Sequence, residues 1–346
     1  MTAQPLRIGL VGAGGNQRLR HVPGFQAIDG VEVVSLCNRT PESGQRFADE
    51  FGIPTVAPSV EAVINDPNVG AISIGTWPYK HREYTIAALE AGKHVLCEAR
   101  MAMNADEAED MLSASEAHPN LVAQLVPAPF DFQLGPTIQR LVGEGSLGDI
   151  LEVDVTLRNG GGLDRSRTIA WRDRASLSGH NTMMMGILSE LVLRWLGETT
   201  RVIAHARTFV TERPDEEGNT ETISIPDSLS IAGDMACGAR VSYSMSTMAQ
   251  GAPFNGITLF GAKGTLRWTM GDTAEMAAHG QPFQLITADA GTNRGWQVEQ
   301  DFIRSIREDA PVELTSFRDG VRYMRFTDAV WKSWNEGVAV DIQTLP

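Results

Sequence analysis

A glycine-rich turn stands near the start of the chain, directly after the apolar run LRIGLV. Its residues GAGG occupy positions 12–15 and lead into a helical stretch, where backbone N–H groups can bind a pyrophosphate. The residues of this turn that are predicted to contact a dinucleotide are Gly12, Gly14, Gly15 and Asn16. The third glycine of the dinucleotide fingerprint would fall at Gln17, so a plain tight turn is the alternative interpretation.

The second apolar run, VEVVSLC, is followed directly by Asn38 and Arg39. In dinucleotide-binding folds an acidic residue at this place bonds the ribose 2′-hydroxyl of NAD. Neither Asn38 nor Arg39 repels a 2′-phosphate, and Arg39 can pair with that phosphate or stack on adenine. Both residues are therefore predicted to bind NADP or NAD, with NADP slightly favoured. For Arg39, a surface arginine that begins the next loop is the alternative.

A carboxylate and a guanidinium flank Ala99 in the stretch CEARMAM, which follows the strand-like run HVL. Doubly wound sheets bind their ligands at the carboxyl ends of the strands, so Glu98 is predicted to order a turn beside the cofactor. Arg100 stays cationic at any working pH, and it can therefore bind an anion but cannot act as a general acid or base. A solvent-facing Arg100 is the alternative.

Alternating strands and helices are needed to hold these turns at one edge of a sheet. The runs LRIGLVGAG, VEVVSLCN, GAISIGTW and KHVLCEA are apolar on both faces, as parallel strands covered by helices are. Helical stretches such as PESGQRFADEFG and HREYTIAALEAGK separate them. The pattern predicts an α/β fold whose first domain, over residues 1–125, is a Rossmann domain with a doubly wound parallel sheet.

The pattern changes after residue 125. Segments such as GDILEVDVTLRNG, DSLSIAGDM and ARVSYSMST alternate apolar and polar residues with period two, which predicts an antiparallel sheet with one covered face. The same region, residues 126–346, contains one internal helix, in SGHNTMMMGILSELVLRWLGE, and two C-terminal helices that can pack back on the first domain. We predict that it is the substrate and oligomerisation domain.

Composition limits the classes of partner. A net charge of −14 argues against nucleic acid as a partner, because nucleic-acid binding uses clustered Lys and Arg. No apolar run approaches the ~20 residues that span a bilayer and the N-terminus lacks a signal-peptide pattern, so a cytoplasmic protein without a membrane partner is predicted. Cys37, Cys97 and Cys237 are interpreted as reduced core thiols, and the histidine spacing predicts no metal site.

Several stretches resemble the family of glucose–fructose oxidoreductase, inositol dehydrogenase and the rhizopine-catabolism protein MocA (Gfo/Idh/MocA). They are VGAGGNQRLRHVPGF, GTWPYKHREYTIAALEAGKHVLCEA, GAKGTL and DFIRSIREDAPVELTSFRDGVRYMRFTDAVWKSW. The resemblance implies a tightly held nicotinamide cofactor, a C-terminal α/β domain with a large, mostly antiparallel open sheet, and a homodimer or homotetramer packed through that sheet. It also implies cofactor contacts from Thr76, Trp77 and His81, although a solvent-facing His81 is the alternative.

The chain departs from this family at the family's proton-transfer groups. In the family's Glu-Lys-Pro motif, Glu98 matches the glutamate, but Ala99 and Arg100 take the places of the lysine and the proline. In the second motif, Asp-x-Gly-x-His-x-x-Asp, the polar positions are occupied by Met184, Leu188 and Leu191. We therefore predict a non-standard acid/base group. Glu190 on the same helix is interpreted as a solvent-exposed acid.

The segment before that helix carries the replacement candidates. His180 is the catalytic candidate, because imidazole is the side chain that exchanges protons near neutral pH. Trp171 can stack on a sugar face and Asn181 can bond a hydroxyl, while Arg172 and Arg174 can hold a carboxylate or phosphate. A loop with solvated arginines and a capping Ser or Asn is the alternative.

Three functions remain open at this stage. The first is an NAD(P)-dependent oxidoreductase that acts on a sugar, polyol or sugar-acid hydroxyl by hydride transfer. The second is an enzyme that uses transient oxidation to cleave a glycoside, eliminate or epimerise, and then returns the hydride. The third is a non-catalytic dinucleotide-binding sensor or subunit.

Overall fold

A computed structural model describes residues 4–251, 254–292 and 294–345 of the chain. The chain divides into two compact units. The first unit consists of Met1–Pro127 and Gln297–Val321, and the second of Ala128–Trp296 and Arg322–Pro346.

The first unit contains a parallel sheet, as predicted from its apolar runs. Its six described strands are β1 (Leu6–Val11), β2 (Val31–Cys37), β3 (Thr55–Val56), β4 (Ala71–Ile74), β5 (His94–Cys97) and β6 (Ala123–Leu125). The strands lie in the order β3-β2-β1-β4-β5-β6, and every neighbouring pair is parallel. This order reverses between β1 and β4, which is where doubly wound sheets form their ligand crevice, and the prediction of a Rossmann sheet is confirmed.

Helices connect these strands. They are α1 (Val22–Gln26), α2 (Pro41–Phe51), α3 (Val60–Ile64), α4 (His81–Glu90) and α5 (Ala105–Ala117), and a later segment adds α9 (Val298–Glu308) to the same unit. The starts of two of them are fixed by side-chain caps, because Thr40 accepts from the backbone N–H of Ser43 and Asn104 accepts from that of Glu107. A π-helical turn, Gln17–His21, precedes α1.

The second unit contains a large, mostly antiparallel sheet. Its nine described strands are β7 (Ile150–Arg158), β8 (Thr199–Arg207), β11 (Ser228–Met235), β12 (Arg240–Ser246), β13 (Gly256–Gly261), β14 (Gly264–Thr269), β15 (Thr273–Ala278), β16 (Gln284–Ile286) and β17 (Val340–Asp341). The order is β16-β15-β14-β13-β7-β12-β11-β8-β17, and β7 and β12 form its parallel pair. A separate antiparallel hairpin is formed by β9 (Glu212–Pro214) and β10 (Thr220–Thr222).

Helices cover one face of this sheet. They are α6 (Gly135–Gly143), α8 (Met185–Leu196) and α10 (Phe317–Glu336). Ala175 of the short α7 (Ala175–Ser178) packs instead against Ile169, Ile223 and Ile225. Leu188 and Leu191 of α8 share a fully buried core with inward residues of the sheet such as Val153 and Trp268. Burying each large apolar side chain contributes roughly 1.5–3 kcal/mol, so this core fixes α8 against the sheet. The elements that the sequence did not predict include α6 and β15.

Candidate active site

The turns that carry the predicted cofactor residues meet at one edge of the first sheet. The backbone N–H of Gly12 donates to the carbonyl of Cys37, and that of Gly75 donates to Val11, at 2.9 and 2.8 Å. The N–H of Glu98 donates to the carbonyl of Ile74 at 3.0 Å. The turns after β1, β2, β4 and β5 are therefore hydrogen-bonded side by side at the carboxyl edge of the sheet.

Glycine is required at the start of the first turn for two reasons. Gly12 has a φ of 83°, and a Cβ there would lie 2.9 Å from the backbone nitrogen of Thr76. A Cβ on Gly14 would lie 3.2 Å from the carbonyl oxygen of Gly75, whereas a Cβ on Gly15 would meet nothing within 4 Å. The Thr76 hydroxyl is buried and has no hydrogen-bond partner among the described residues. A close-packed turn beside open space and an unsatisfied hydroxyl fits a dinucleotide.

The missing third glycine is replaced by a specific packing arrangement. Gln17 is completely buried, and its amide nitrogen donates to the hydroxyl of Ser73 at 2.7 Å. A Cβ on Gly75 would lie 2.6 Å from Cγ of Gln17, so the absence of a side chain at residue 75 makes room for the larger residue. The glycine at residue 75 thus accommodates a glutamine at the third position of the fingerprint.

The end of β2 brings together three of the predicted cofactor residues. Oδ1 of Asn38 accepts from the N–H of Ala13 at 3.3 Å, and its amide nitrogen donates to Ser43 at 3.0 Å. Arg39 is exposed, and its guanidinium carbon lies 5.9 Å from the centre of the Trp77 ring. Asn38 therefore ties the glycine turn to the start of α2, while Arg39 and Trp77 are close enough for a cation–π contact.

His81 joins the turn after β4 to the turn after β5. Its ring is fully buried, with Nε2 2.9 Å from the carbonyl oxygen of Thr76 and Nδ1 3.0 Å from that of Arg100. Burial lowers the pKa of His81 despite these carbonyls. The alternative of a solvent-facing histidine is wrong, and direct contact between His81 and a cofactor stays a prediction.

Arg100, in the stretch CEARMAM, is buried. The Arg100 side chain is 4% exposed, so the solvent-facing alternative is wrong. The peptide bond between Ala99 and Arg100 is cis. The anion-binding role of Arg100 stays a prediction.

Glu98 belongs to a buried charge cluster that the sequence did not reveal. Nε2 of His21 lies 2.9 Å from Oε1 of Glu98, and Nδ1 of His21 lies 2.5 Å from Oε1 of Glu299 on α9. The amide nitrogen of Asn16 donates to the same oxygen of Glu98 at 2.6 Å. We call His21, Glu98, Glu299 and Asn16 the buried histidine cluster.

Electrostatics keep the cluster charged. Burial alone would lower the pKa of His21, but hydrogen bonds to Glu299 and Glu98, with their negative charges, outweigh it and raise the pKa to about 9. Burial alone would raise the pKa of Glu98, but the hydrogen bond and charge of His21 reverse that effect and lower it. At neutral pH His21 is an imidazolium that donates to a carboxylate from each ring nitrogen.

The catalytic candidate of the second unit has a carboxylate partner. Nδ1 of His180 lies 2.7 Å from Oδ1 of Asp328 on α10, and the imidazole stacks on Trp331 with ring centres 4.6 Å apart. About a third of the His180 side chain is exposed. A carboxylate at Nδ1 fixes that nitrogen as the donor and leaves Nε2 as the proton-accepting atom of the neutral ring.

The other substrate candidates lie in the turns before α8. The guanidinium of Arg172 lies 4.2 Å from the ring centre of Trp171. Arg174 makes a bidentate ion pair with Glu221, at 2.8 and 2.5 Å, so its charge is already compensated. Asn181 is buried, and its amide nitrogen donates to the carbonyl of Ser178. Substrate contacts from these residues stay predictions, and for Arg174 such a contact requires the ion pair to open.

Two further interpretations of single residues are wrong. Glu190 is buried rather than exposed, and it accepts from Arg194 at 2.6 Å and from the backbone N–H of Ala128 at 3.0 Å. Cys237 is exposed rather than part of the core, whereas Cys37 and Cys97 are buried. Burial raises the pKa of both buried thiols, as expected for inert core residues.

In the part of the chain that the structure describes, no three or more His, Cys, Asp or Glu side chains are grouped so as to hold a metal ion. None of the helices in the described ranges combines the length and the apolar character needed to cross a bilayer.

Comparison with known proteins identifies the family. Residues 6–124 match the model of the oxidoreductase family with an NAD-binding Rossmann fold, and residues 136–267 match the Gfo/Idh/MocA C-terminal domain. Together the two matches cover more than half of the chain. The chain belongs to the Gfo/Idh/MocA oxidoreductase family. The resemblance seen in the sequence is therefore confirmed, and with it the NAD-binding Rossmann fold.

Sequence relatives of this family member include sugar oxidoreductases. It is 41% identical to a 1,5-anhydro-D-fructose reductase of Ensifer adhaerens over 109 residues, 32% of each chain. It is 28% identical to a levoglucosan dehydrogenase of Pseudarthrobacter phenanthrenivorans over 236 residues, 64% of this chain and 58% of that one. The match thus spans about a third of the length of the anhydrofructose reductase and somewhat over half of the length of the levoglucosan dehydrogenase.

A solved structure supports the fold. Levoglucosan dehydrogenase in complex with NADH and L-sorbose superposes with a TM-score of 0.87 at 23% identity, covering 98% of this chain and 99% of that one. At this identity the likeness establishes the fold alone.

Proposed function

We propose that this family member is an NAD(P)-dependent oxidoreductase that acts on a hydroxyl of a sugar, polyol or sugar acid by hydride transfer. The observation that carries the proposal is the glycine turn at the carboxyl edge of the Rossmann sheet, where Gly12 and Gly14 are packed tightly and Gly15 borders open space. The sugar oxidoreductases among the relatives support the substrate class.

Residues of the first unit would hold the dinucleotide. Backbone N–H groups of the glycine turn are suited to the pyrophosphate, and the exposed guanidinium of Arg39 beside Trp77 is suited to adenine and a 2′-phosphate. When bound, the nicotinamide supplies the acceptor for hydride. The slight preference for NADP rests on Arg39 and on the absence of a carboxylate at Asn38.

Residues of the second unit would handle the proton. As the substrate C–H leaves as hydride, its hydroxyl proton must pass to a base, and Ala99 cannot accept it. Nε2 of His180 can accept this proton, because Asp328 holds Nδ1 as the donor and then faces the resulting imidazolium. Trp171 and Arg172 would contact the sugar ring and its polar substituents.

The transient-oxidation alternative differs from this reaction in its net outcome. Leu188 and Leu191, which stand at the positions of the family's second acid/base motif, are fully buried in the core of the second unit, so either reaction would depend on His180 for proton transfer. In the alternative, the hydride returns to the product. Such turnover leaves the NAD(P)H concentration unchanged.

The test combines cofactor binding with a substrate panel. Purified protein should bind NADH or NADPH, and one member of a panel of sugars, polyols and sugar acids should produce a net change in absorbance at the nicotinamide band. Turnover of a glycoside without such a change would support the alternative enzyme, and binding without any turnover would support a sensor.

The proton carrier is tested separately. His180→Gln should lower kcat by roughly 10²-fold or more while leaving NADH affinity unchanged, because general acid–base catalysis contributes that much. His205→Gln removes an exposed imidazole of the same unit and should leave kcat unchanged. Full activity in His180→Gln would refute the assignment.

A further inference from the structure

The buried histidine cluster links three segments that are distant in the sequence. Asn16 follows the glycine turn, Glu98 follows β5, and Glu299 lies in the first turn of α9, with His21 in contact with both carboxylates. His21 and Glu299 are completely buried. A buried cation between two carboxylates is costly unless its hydrogen bonds are made, so the cluster tolerates little rearrangement.

We propose that His21 is a positioning residue for the dinucleotide, and that its positive charge, held by Glu98 and Glu299, keeps the glycine turn and the turn after β5 in their binding arrangement. This inference rests on the dinucleotide site proposed above.

Deprotonation of His21 would change both the hydrogen bonds and the net charge of the cluster. A protonated ring donates to both carboxylates, whereas a neutral ring has one N–H and must release one of them. Loss of the proton also changes the cluster from one negative charge to two, beside the turn that is suited to a pyrophosphate. Both effects disfavour dinucleotide binding, so the affinity for NADH should fall when His21 loses its proton.

Two neighbouring titratable groups, His81 and Glu98, do not change their charge in the alkaline range. Its ring is contacted by Glu98, Glu299 and Asn16, and Phe25 on α1 presents an aromatic ring with its centre 6.5 Å away. His81, whose charge would act on Glu98, has its pKa lowered by burial and stays neutral in the alkaline range. The pKa of Glu98 is lowered, so Glu98 stays ionised there.

The test is the Kd of NADH as a function of pH, followed by fluorescence on the full chain. In the wild-type protein the Kd should be constant at neutral pH and rise about tenfold or more as the pH passes about 9, the pKa of His21. Glu299→Gln keeps the shape of the side chain but removes one charge. It should move the rise toward neutral pH by about 1–3 units, the range for losing one adjacent opposite charge.

The matched control is Glu308→Gln. It makes the same change at an exposed position on the same helix, so its pH profile should coincide with that of the wild type. A Glu299→Gln profile that also coincides would overturn the inference while leaving the dinucleotide site intact. Absence of NADH and NADPH binding in the wild type would refute the proposed function itself, and the inference with it.

A second measurement follows the His21 ring in the wild-type protein and does not need the Glu299→Gln variant. In protein with labelled histidine, the signal of His21 is identified by its proximity to the ring of Phe25, whose centre lies 6.5 Å away. That signal should titrate near the cited pKa of about 9. A His21 signal that titrates near the ordinary histidine value of about 6.5 would overturn the inference.

Discussion

Arg39 is the residue on which the choice between NADP and NAD depends. Arg39→Asp should weaken NADPH binding by at least tenfold relative to NADH, because hydrogen bonds to a charged group contribute about 1.5–3 kcal/mol and aspartate repels a 2′-phosphate. The measurement is the ratio of the two Kd values. Arg46→Asp, at an exposed position on α2, should leave the ratio unchanged. An unchanged ratio in Arg39→Asp would show that Arg39 does not contact the phosphate.

Asp328 is predicted to orient His180 rather than to contact the substrate. Asp328→Asn should lower kcat by roughly 10²-fold, because the imidazole loses the carboxylate that fixes its tautomer and faces its charge. The diagnostic result is non-additivity: the same substitution in His180→Gln protein should cost little further activity.

The comparison variant for this cycle is Glu336→Gln, which removes an exposed carboxylate near the end of the same helix. It should leave kcat unchanged in both backgrounds. Equal losses from Asp328→Asn with and without His180 would mean that the carboxylate acts independently of the histidine.

At the scale of elements, two glycines of the glycine turn are expected to have different roles: Gly12 is needed for the fold and Gly15 for cofactor binding. Gly12→Ala forces a side chain into a φ of 83° and places its Cβ 2.9 Å from the backbone of Thr76, so it should destabilise the protein by about 1–3 kcal/mol. Gly15→Ala meets nothing within 4 Å and should leave stability nearly unchanged. It should nevertheless weaken NADH binding, because the added methyl group enters the space assigned to the pyrophosphate.

Thermal unfolding and NADH titration of the two variants give both quantities. If Gly15→Ala binds NADH as tightly as the wild type, the pyrophosphate does not approach this residue.

Local patterns were sufficient to predict the elements that carry the site. Apolar runs that end in turn residues predicted the strands of the parallel sheet, and period-two alternation predicted strands such as β11, because each pattern reflects which faces a strand buries. Side-chain partners were predicted less well. His21 and Glu299 are separated by 278 positions, and no spacing rule connects them. Glu190 was misread because its partners are brought to it only by folding, so its charge indicated an exposed helix face.

At the scale of the whole molecule, the outer face of the nine-stranded sheet is where the predicted homodimer or homotetramer would form. Ile203, Phe260 and Leu285 are exposed there, and a hollow of about 490 Å³ lies beside Leu285. Leu285→Glu should shift the native mass, measured by light scattering, toward that of a single 37.5 kDa chain.

Val338→Glu changes another exposed apolar residue, outside the sheet, and should leave the native mass unchanged. A wild-type protein that already runs as a single chain would refute the oligomer predicted through this face.

The buried histidine cluster should also make global stability depend on pH. The pKa of His21 is raised to about 9 in the folded protein, above the ordinary value of 6.5, so its contribution is complete below pH 6.5 and is lost as the pH rises to about 9. The loss should amount to about 3 kcal/mol in the free energy of unfolding, measured by urea denaturation at the two ends of this range. Glu299→Gln should show a smaller loss, because without the Glu299 charge the pKa of His21 in the folded protein lies closer to its unfolded value. Glu308→Gln should retain the wild-type loss, and equal losses in both variants would show that the pKa of His21 is not set by Glu299.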